Sequence, residues 1–162
     1  MREILPLCTG MPQRAVPAGE TILHEGDRTG VLFILVEGAV EILKGDVRVN
    51  TVSDPGAVFG EMSVLLDAPH MATVRTLAPS RFHVAEDARR FLHGDPAVAL
   101  AVSRLLARRL HAMITYLAAL KHQYEDRNDH LGMVDEVLEA LVHHQGDEHS
   151  PGSDRDPDPT VS

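Results

Sequence analysis

Gly26-Asp27-Arg28-Thr29-Gly30-Val31-Leu32-Phe33-Ile34-Leu35-Val36-Glu37-Gly38-Ala39-Val40-Glu41-Ile42 sets a Gly-Asp turn before an apolar run, a glycine turn after it, and a second strand. On its own this is a β-hairpin architecture. Outward from it, β-favouring runs recur at residues 21–23, 31–36, 39–43, 47–52, 71–76 and 80–84, with Gly19, Gly26, Gly30, Gly38, Gly45, Gly56 and Gly60 between them. Turn signals every ten residues or so (roughly) point to an antiparallel barrel or roll rather than to βαβ units. Residues 39–43 alternate only loosely, so several strands are expected to be buried on both faces. Lys44-Gly45-Asp46 reads as a hairpin tip.

The second informative stretch is Pro55-Gly56-Ala57-Val58-Phe59-Gly60-Glu61-Met62-Ser63-Val64-Leu65-Leu66-Asp67-Ala68-Pro69-His70-Met71-Ala72-Thr73-Val74. Residues 60–66 read as a short helical turn inserted between strands and stopped by Asp67-Ala68-Pro69. Gly60 lets another backbone approach closely, and the N–H groups of Glu61, Met62 and Ser63 open the helix, where an anion is favoured. The Glu61 carboxylate suits accepting hydrogen bonds from a sugar hydroxyl. The stretch therefore fits a phosphate beside a ribose. By spacing alone it fits better a structural turn with Glu61 as an ordinary first-turn carboxylate.

After residue 84 the pattern becomes helical. Residues 86–93 form a short helix closed by Gly94, and Asp95-Pro96 supplies an N-cap and a first-turn proline. A long helix is expected over 96–127. Val98, Val102, Leu105, Leu106, Leu110, Met113, Ile114, Leu117 and Leu120 recur there mostly at spacings of three and four. One side can pack on the roll and the other on a second copy, so the pattern permits a homodimer. Asn128-Asp129 breaks the run, and 130–144 is a short amphipathic helix carrying Leu131, Val134, Val137, Leu138, Leu141 and Val142. Residues 146–162 read as a disordered acidic tail. The expected divisions are thus 1–95, 96–127, 128–145 and 146–162.

Composition narrows the function. The 162 residues are 44% hydrophobic and only 4% aromatic, with no Trp, so the core is aliphatic. A net charge of −9 argues against broad contact with a DNA backbone, although a local positive site for a small anion is compatible with it. Cys8 is the only cysteine, which excludes an internal disulfide. With no signal-peptide pattern and no long apolar run, a cytoplasmic protein away from the membrane is expected. Ten histidines are scattered without metal-ligand spacing, so no metal cofactor is expected. Ser53, Ser63, Ser103 and Cys8 sit in no nucleophile motif, and the protein is expected not to be an enzyme.

Taken together, the two stretches resemble the cyclic nucleotide-binding domain family, over residues 16–121. The resemblance rests on Gly-Asp, strand, Gly, strand, then Phe59-Gly60-Glu61, then Leu65-Leu66, then Pro69-x-x-Ala72-Thr73-Val74. It implies an eight-stranded antiparallel β-roll, of the double-stranded β-helix or jelly-roll kind, followed by a long dimerising helix. It also implies a phosphate-binding cassette over 59–74. Phe59, Gly60, Glu61, Met62, Ser63, His70, Met71 and Ala72 would then be the ligand-binding residues. Gly60, Met62 and Ser63 would give backbone donors, Glu61 would take the ribose hydroxyl, and Leu65 and Leu66 would anchor the cassette helix. Leu105-Leu106-Ala107-Arg108-Arg109-Leu110 resembles the start of the family's dimerising helix, with Thr115 the nearest hydroxyl for a base.

The departure lies at Pro69-His70-Met71. Binding members carry Arg where this chain has His70 and a small or hydroxyl residue where it has Met71. Arginine gives a bidentate, permanently charged contact, whereas a histidine is charged only when protonated. Three outcomes follow: no nucleotide, a different ligand, or weak binding that tightens at low pH. The expectation is a stand-alone sensor for cyclic AMP or cyclic GMP, signalling to a protein partner through its C-terminal helices, with no direct DNA binding. The rival is a ligand-free dimeric interaction module with a degenerate cassette.

Overall fold

The computed structural model describes residues 2–123 and 131–143. Residues 124–127, 130 and 144 of the expected helices, and the expected tail 146–162, lie outside that description. The chain divides into two compact units, residues 1–107 and 108–162.

The first unit opens with a 3-10 helix, Arg2–Cys8, that contains Pro6. The strands are β1 (Gln13–Val16), β2 (Thr21–Leu23), β3 (Leu32–Glu37), β4 (Val40–Lys44), β5 (Val47–Val52), β6 (Val58–Phe59), β7 (Thr73–Thr76) and β8 (Ser80–Ala85). They form two four-stranded antiparallel sheets, ordered β1-β8-β3-β6 and β2-β7-β4-β5. This is the expected eight-stranded antiparallel roll. The helices are α1 (Glu61–Leu65), α2 (Ala88–Gly94), α3 (Pro96–Gln123), which runs into the second unit, and α4 (Leu131–His143).

Strand β3 shows why the run 31–36 is apolar throughout instead of alternating. Phe33 and Leu35 enter the cluster between the sheets with Val40, Val74 and Phe82. Leu32 and Ile34 enter a second cluster with Ala88, Leu92, Val98, Val102 and Leu105 of the helices. Both faces of the strand are covered, so both sets of side chains must be apolar. The rings of Phe33 and Phe82 meet edge-on, with centroids 5.7 Å apart.

Gly38 is required by close approach. At Gly38 (φ +110) an added Cβ would lie 2.6 Å from the Ser80 backbone. The β4–β5 hairpin closes through Gly45-Asp46, with Lys44 opposite Val47. Helix α3 begins as its capping signals require, with the Asp95 carboxylate accepting from the Ala97 N–H at 2.8 Å.

In the second unit, Leu110, Met113 and Tyr116 of α3 are 41%, 53% and 64% exposed. On α4, Met133, Val137 and Val142 are also exposed, and Lys121 forms a salt bridge with Asp135.

Candidate functional site

The cassette grows from β6. After Phe59 the chain turns at Gly60, which lies in the left-handed region at φ +94 and caps α1 without a side-chain hydrogen bond. A Cβ there would sit 2.5 Å from the Val31 carbonyl oxygen. Glycine is thus required both by conformation and by space. The turn carries Glu61 into the interior, where it is 3% exposed, so it is not a solvated first-turn acid. The N–H groups of Met62 and Ser63 lie in the first turn of α1, where the helix itself offers them no acceptor.

Helix α1 ends in a Schellman-type closure. The Ala68 N–H donates to the Ser63 carbonyl at 3.0 Å, with Asp67 left-handed at φ +50 between them. The Ser63 hydroxyl donates to the Ala68 carbonyl at 2.6 Å, so it is engaged in this closure and only its N–H faces the task expected of it. The resemblance implied that Leu65 and Leu66 anchor the helix. They do not: they are 51% and 66% exposed. On a five-residue helix the inward face falls instead on Glu61 and Ser63, with Val64 packed against the helical cluster.

His70 is held from three sides. Its N–H donates to the Asp27 carbonyl at 2.8 Å, and its carbonyl accepts from the Gly26 N–H at 2.9 Å. Its Nε2 is 2.8 Å from the Thr29 hydroxyl. The residue is 4% exposed, so it is not an open loop residue. Burial of the imidazole lowers its pKa below the ordinary value, opposed in part by the Asp27 charge. In this arrangement Nε2 is turned to Thr29, and charging the imidazole costs more than it does in water. Met71, by contrast, is exposed, and Met62 is partly so.

The loop 26–30 and the cassette are locked further. Arg28 donates to the Asp67 carbonyl at 2.9 Å, and the Gly30 carbonyl accepts from the Ala88 N–H at 3.0 Å. At the far end of the cassette the Lys44 ammonium donates to the Met71 carbonyl at 2.8 Å and to Glu25 at 2.6 Å. The Gly45 N–H also donates to Glu25, at 2.8 Å. Glu25 is held below its ordinary pKa, first by the Lys44 bond and then by the Gly45 bond. Beside these, the Glu41 carboxylate is buried between Arg75 (2.7 Å from Nε) and Arg48 (2.6 Å). Reading the residues in sequence did not find Thr29, Arg28, Lys44 or Glu25. Each acts on the cassette across tens of residues, and only the preceding Gly-Asp turn signalled that this loop matters.

Burial pushes the Cys8 thiol up to about 11. Among the described residues no group of three or more His, Cys, Asp or Glu is placed to hold a metal ion, and no helix is long and apolar enough to cross a membrane. Thr115, the hydroxyl nearest the expected base-reading position, donates to the His111 carbonyl of its own helix at 2.9 Å.

Comparison with known proteins agrees with this architecture. Residues 13–89 match the family model of the cyclic nucleotide-binding domain. Over 69 residues the chain is 38% identical to the cAMP-dependent protein kinase regulatory subunit of Yarrowia lipolytica, covering 43% of this chain and 18% of that protein. Over 110 residues it is 31% identical to the CRP-like cAMP-activated global transcriptional regulator of Mycobacterium tuberculosis, covering 64% of this chain and 49% of the regulator. The chain therefore spans half or less of these relatives. The crystal structure of Thermus thermophilus catabolite activator protein superposes with a TM-score of 0.60 at 26% identity, covering 74% of this chain and 59% of that one.

Proposed function

We propose, from the match of residues 13–89 to the cyclic nucleotide-binding domain, that this protein is a regulatory sensor that binds cyclic AMP or cyclic GMP in its cassette. The observation that carries the reading is the Gly60–Glu61 turn. A left-handed glycine pressed under the Val31 carbonyl turns a buried carboxylate inward and opens a helix start beside it. A carboxylate accepts from a ribose hydroxyl, and N–H groups without intrahelical partners donate to a phosphate. The relatives named for cAMP support the same ligand class. The protein acts by binding and not by catalysis, in the cytoplasm, without a metal or other cofactor. The exposed seam of Leu110, Met113 and Tyr116 pairs with a second copy, and the C-terminal helices carry the response to a protein partner. A ligand drives such a response only through a preference for one arrangement over the other.

A second reading is a ligand-free dimeric module. The observation favouring it is the His70–Thr29 contact, which satisfies the cassette histidine inside the protein. Titration calorimetry of the full chain with cyclic AMP and cyclic GMP separates the two. Saturable heat with either nucleotide supports the sensor. No heat, from a sample shown to be folded, supports the module.

A further inference from the structure

Between residues 59 and 74 there is no lysine or arginine, but there are two acids, Glu61 and Asp67. An anion bound there must draw a positive charge from outside the segment, because an uncompensated charge in a partly closed site is costly. His70 does not supply it, being buried and engaged with Thr29. Arg28 and Arg89 reach the cassette at Asp67, where they face its carboxylate at 3.6 and 3.9 Å. The cavity there, about 330 Å³, is also lined by Glu86 and Asp87, so its acids outnumber its arginines.

Lys44 is placed differently. It ends β4, next to Leu43, which pairs with Thr73 at the start of β7. Its ammonium lies on the Met71 carbonyl, beside the residues expected to close the ligand site. We propose that Lys44 supplies the positive charge for the ligand's phosphate in this cassette, exchanging Glu25 for the nucleotide when it binds. The proposal rests on the sensor reading above. The exchange leaves no stranded charge. Glu25 keeps the Gly45 N–H as donor, and its side chain is 30% exposed and so open to water. The Lys44 side chain is 60% exposed and its stem is flexible, so the ammonium can swing while the hairpin stays in place. Glu25 then acts as a competitor that sets the affinity.

The test is calorimetric titration of the full chain with cyclic AMP, and with adenosine as a ligand lacking the phosphate. The wild type is compared with Lys44→Gln, Lys44→Arg and Glu25→Gln. Lys44→Gln is expected to weaken cyclic AMP about tenfold or more while leaving adenosine within about twofold, and Lys44→Arg to recover most of the loss. Glu25→Gln, by freeing the ammonium, is expected to tighten cyclic AMP. If Lys44→Gln binds cyclic AMP as the wild type does, or loses both ligands equally, the assignment of Lys44 is overturned and the sensor reading stands. If the folded wild type gives no heat with cyclic AMP or cyclic GMP, the sensor reading itself fails, and the assignment with it.

Discussion

The Nε2 of His70 lies 2.8 Å from the hydroxyl of Thr29, forty-one residues earlier in the chain. This contact ties the turn before β3 to the cassette and removes the imidazole from solvent. Replacing Thr29 by Val leaves a buried ring nitrogen unpaired and is expected to destabilise the protein by about 1–3 kcal/mol, whereas Thr29→Ser costs far less. Urea unfolding of the two variants checks this.

The same contact fixes a pH dependence. The folded His70 has a pKa lowered from 6.5, first by burial, with the Asp27 charge acting the other way. The unfolded chain therefore binds the proton more readily. The stability contributed by this group is present above pH 6.5 and is lost as the pH falls through the lower folded value. Thermal midpoints should fall between pH 7.5 and 5.5, and His70→Gln should flatten that segment of the profile. With its Nε2 engaged by Thr29, His70 is expected not to raise nucleotide affinity on acidification, and calorimetric titration at pH 6 and pH 8 checks this.

Glu41 acts in a lower window. Its bond to Arg75, and then that to Arg48, hold it below 4.5 against the opposing effect of burial. Its contribution is present above pH 4.5 and is lost as the pH falls through the depressed folded value. Glu41→Gln should be less stable than the wild type at neutral pH and should show a shallower loss on acidification below pH 4.5. Denaturation followed from pH 7 to 2 measures both.

Gly60→Ala places a Cβ 2.5 Å from the Val31 carbonyl at a φ of +94. Left-handed strain and a backbone clash together should cost about 2 kcal/mol or more. Denaturant midpoints of Gly60→Ala and of a control, Gly94→Ala, which meets nothing within 4 Å, separate this from a general glycine effect.

Leu110 and Met113 are exposed on one face of α3. If a second copy covers them, Leu110→Glu with Met113→Glu should convert a dimer to a monomer in light scattering while leaving the strand content in circular dichroism unchanged. A wild type already monomeric at micromolar concentration would contradict the pairing.

The sequence made β3 legible because Leu32–Leu35 is apolar at every position, and α3 because Asp95-Pro96 marks its start. It did not reveal β1. Gln-Arg-Ala-Val is a sheet-edge strand with three exposed residues and carries no apolar period. Strand β6 was too short to stand out from the cassette, and Pro6 obscured the first 3-10 helix. Within the site, Gly60 was readable from its neighbours. The burial of His70 was not, because it depends on Thr29 and Asp27 folding back from a distant loop. The exposure of Leu65 and Leu66 was hidden for a related reason. A five-residue helix shows no period, and which side faces inward is decided by the Gly60 turn.

The most direct measurement is the amide ¹H–¹⁵N spectrum of the full chain with and without saturating cyclic AMP. Shifts are expected to concentrate at Gly60, Glu61, Met62 and Ser63 and at Met71 and Ala72. An unchanged spectrum from the folded protein, or shifts that spare all six residues, would contradict this.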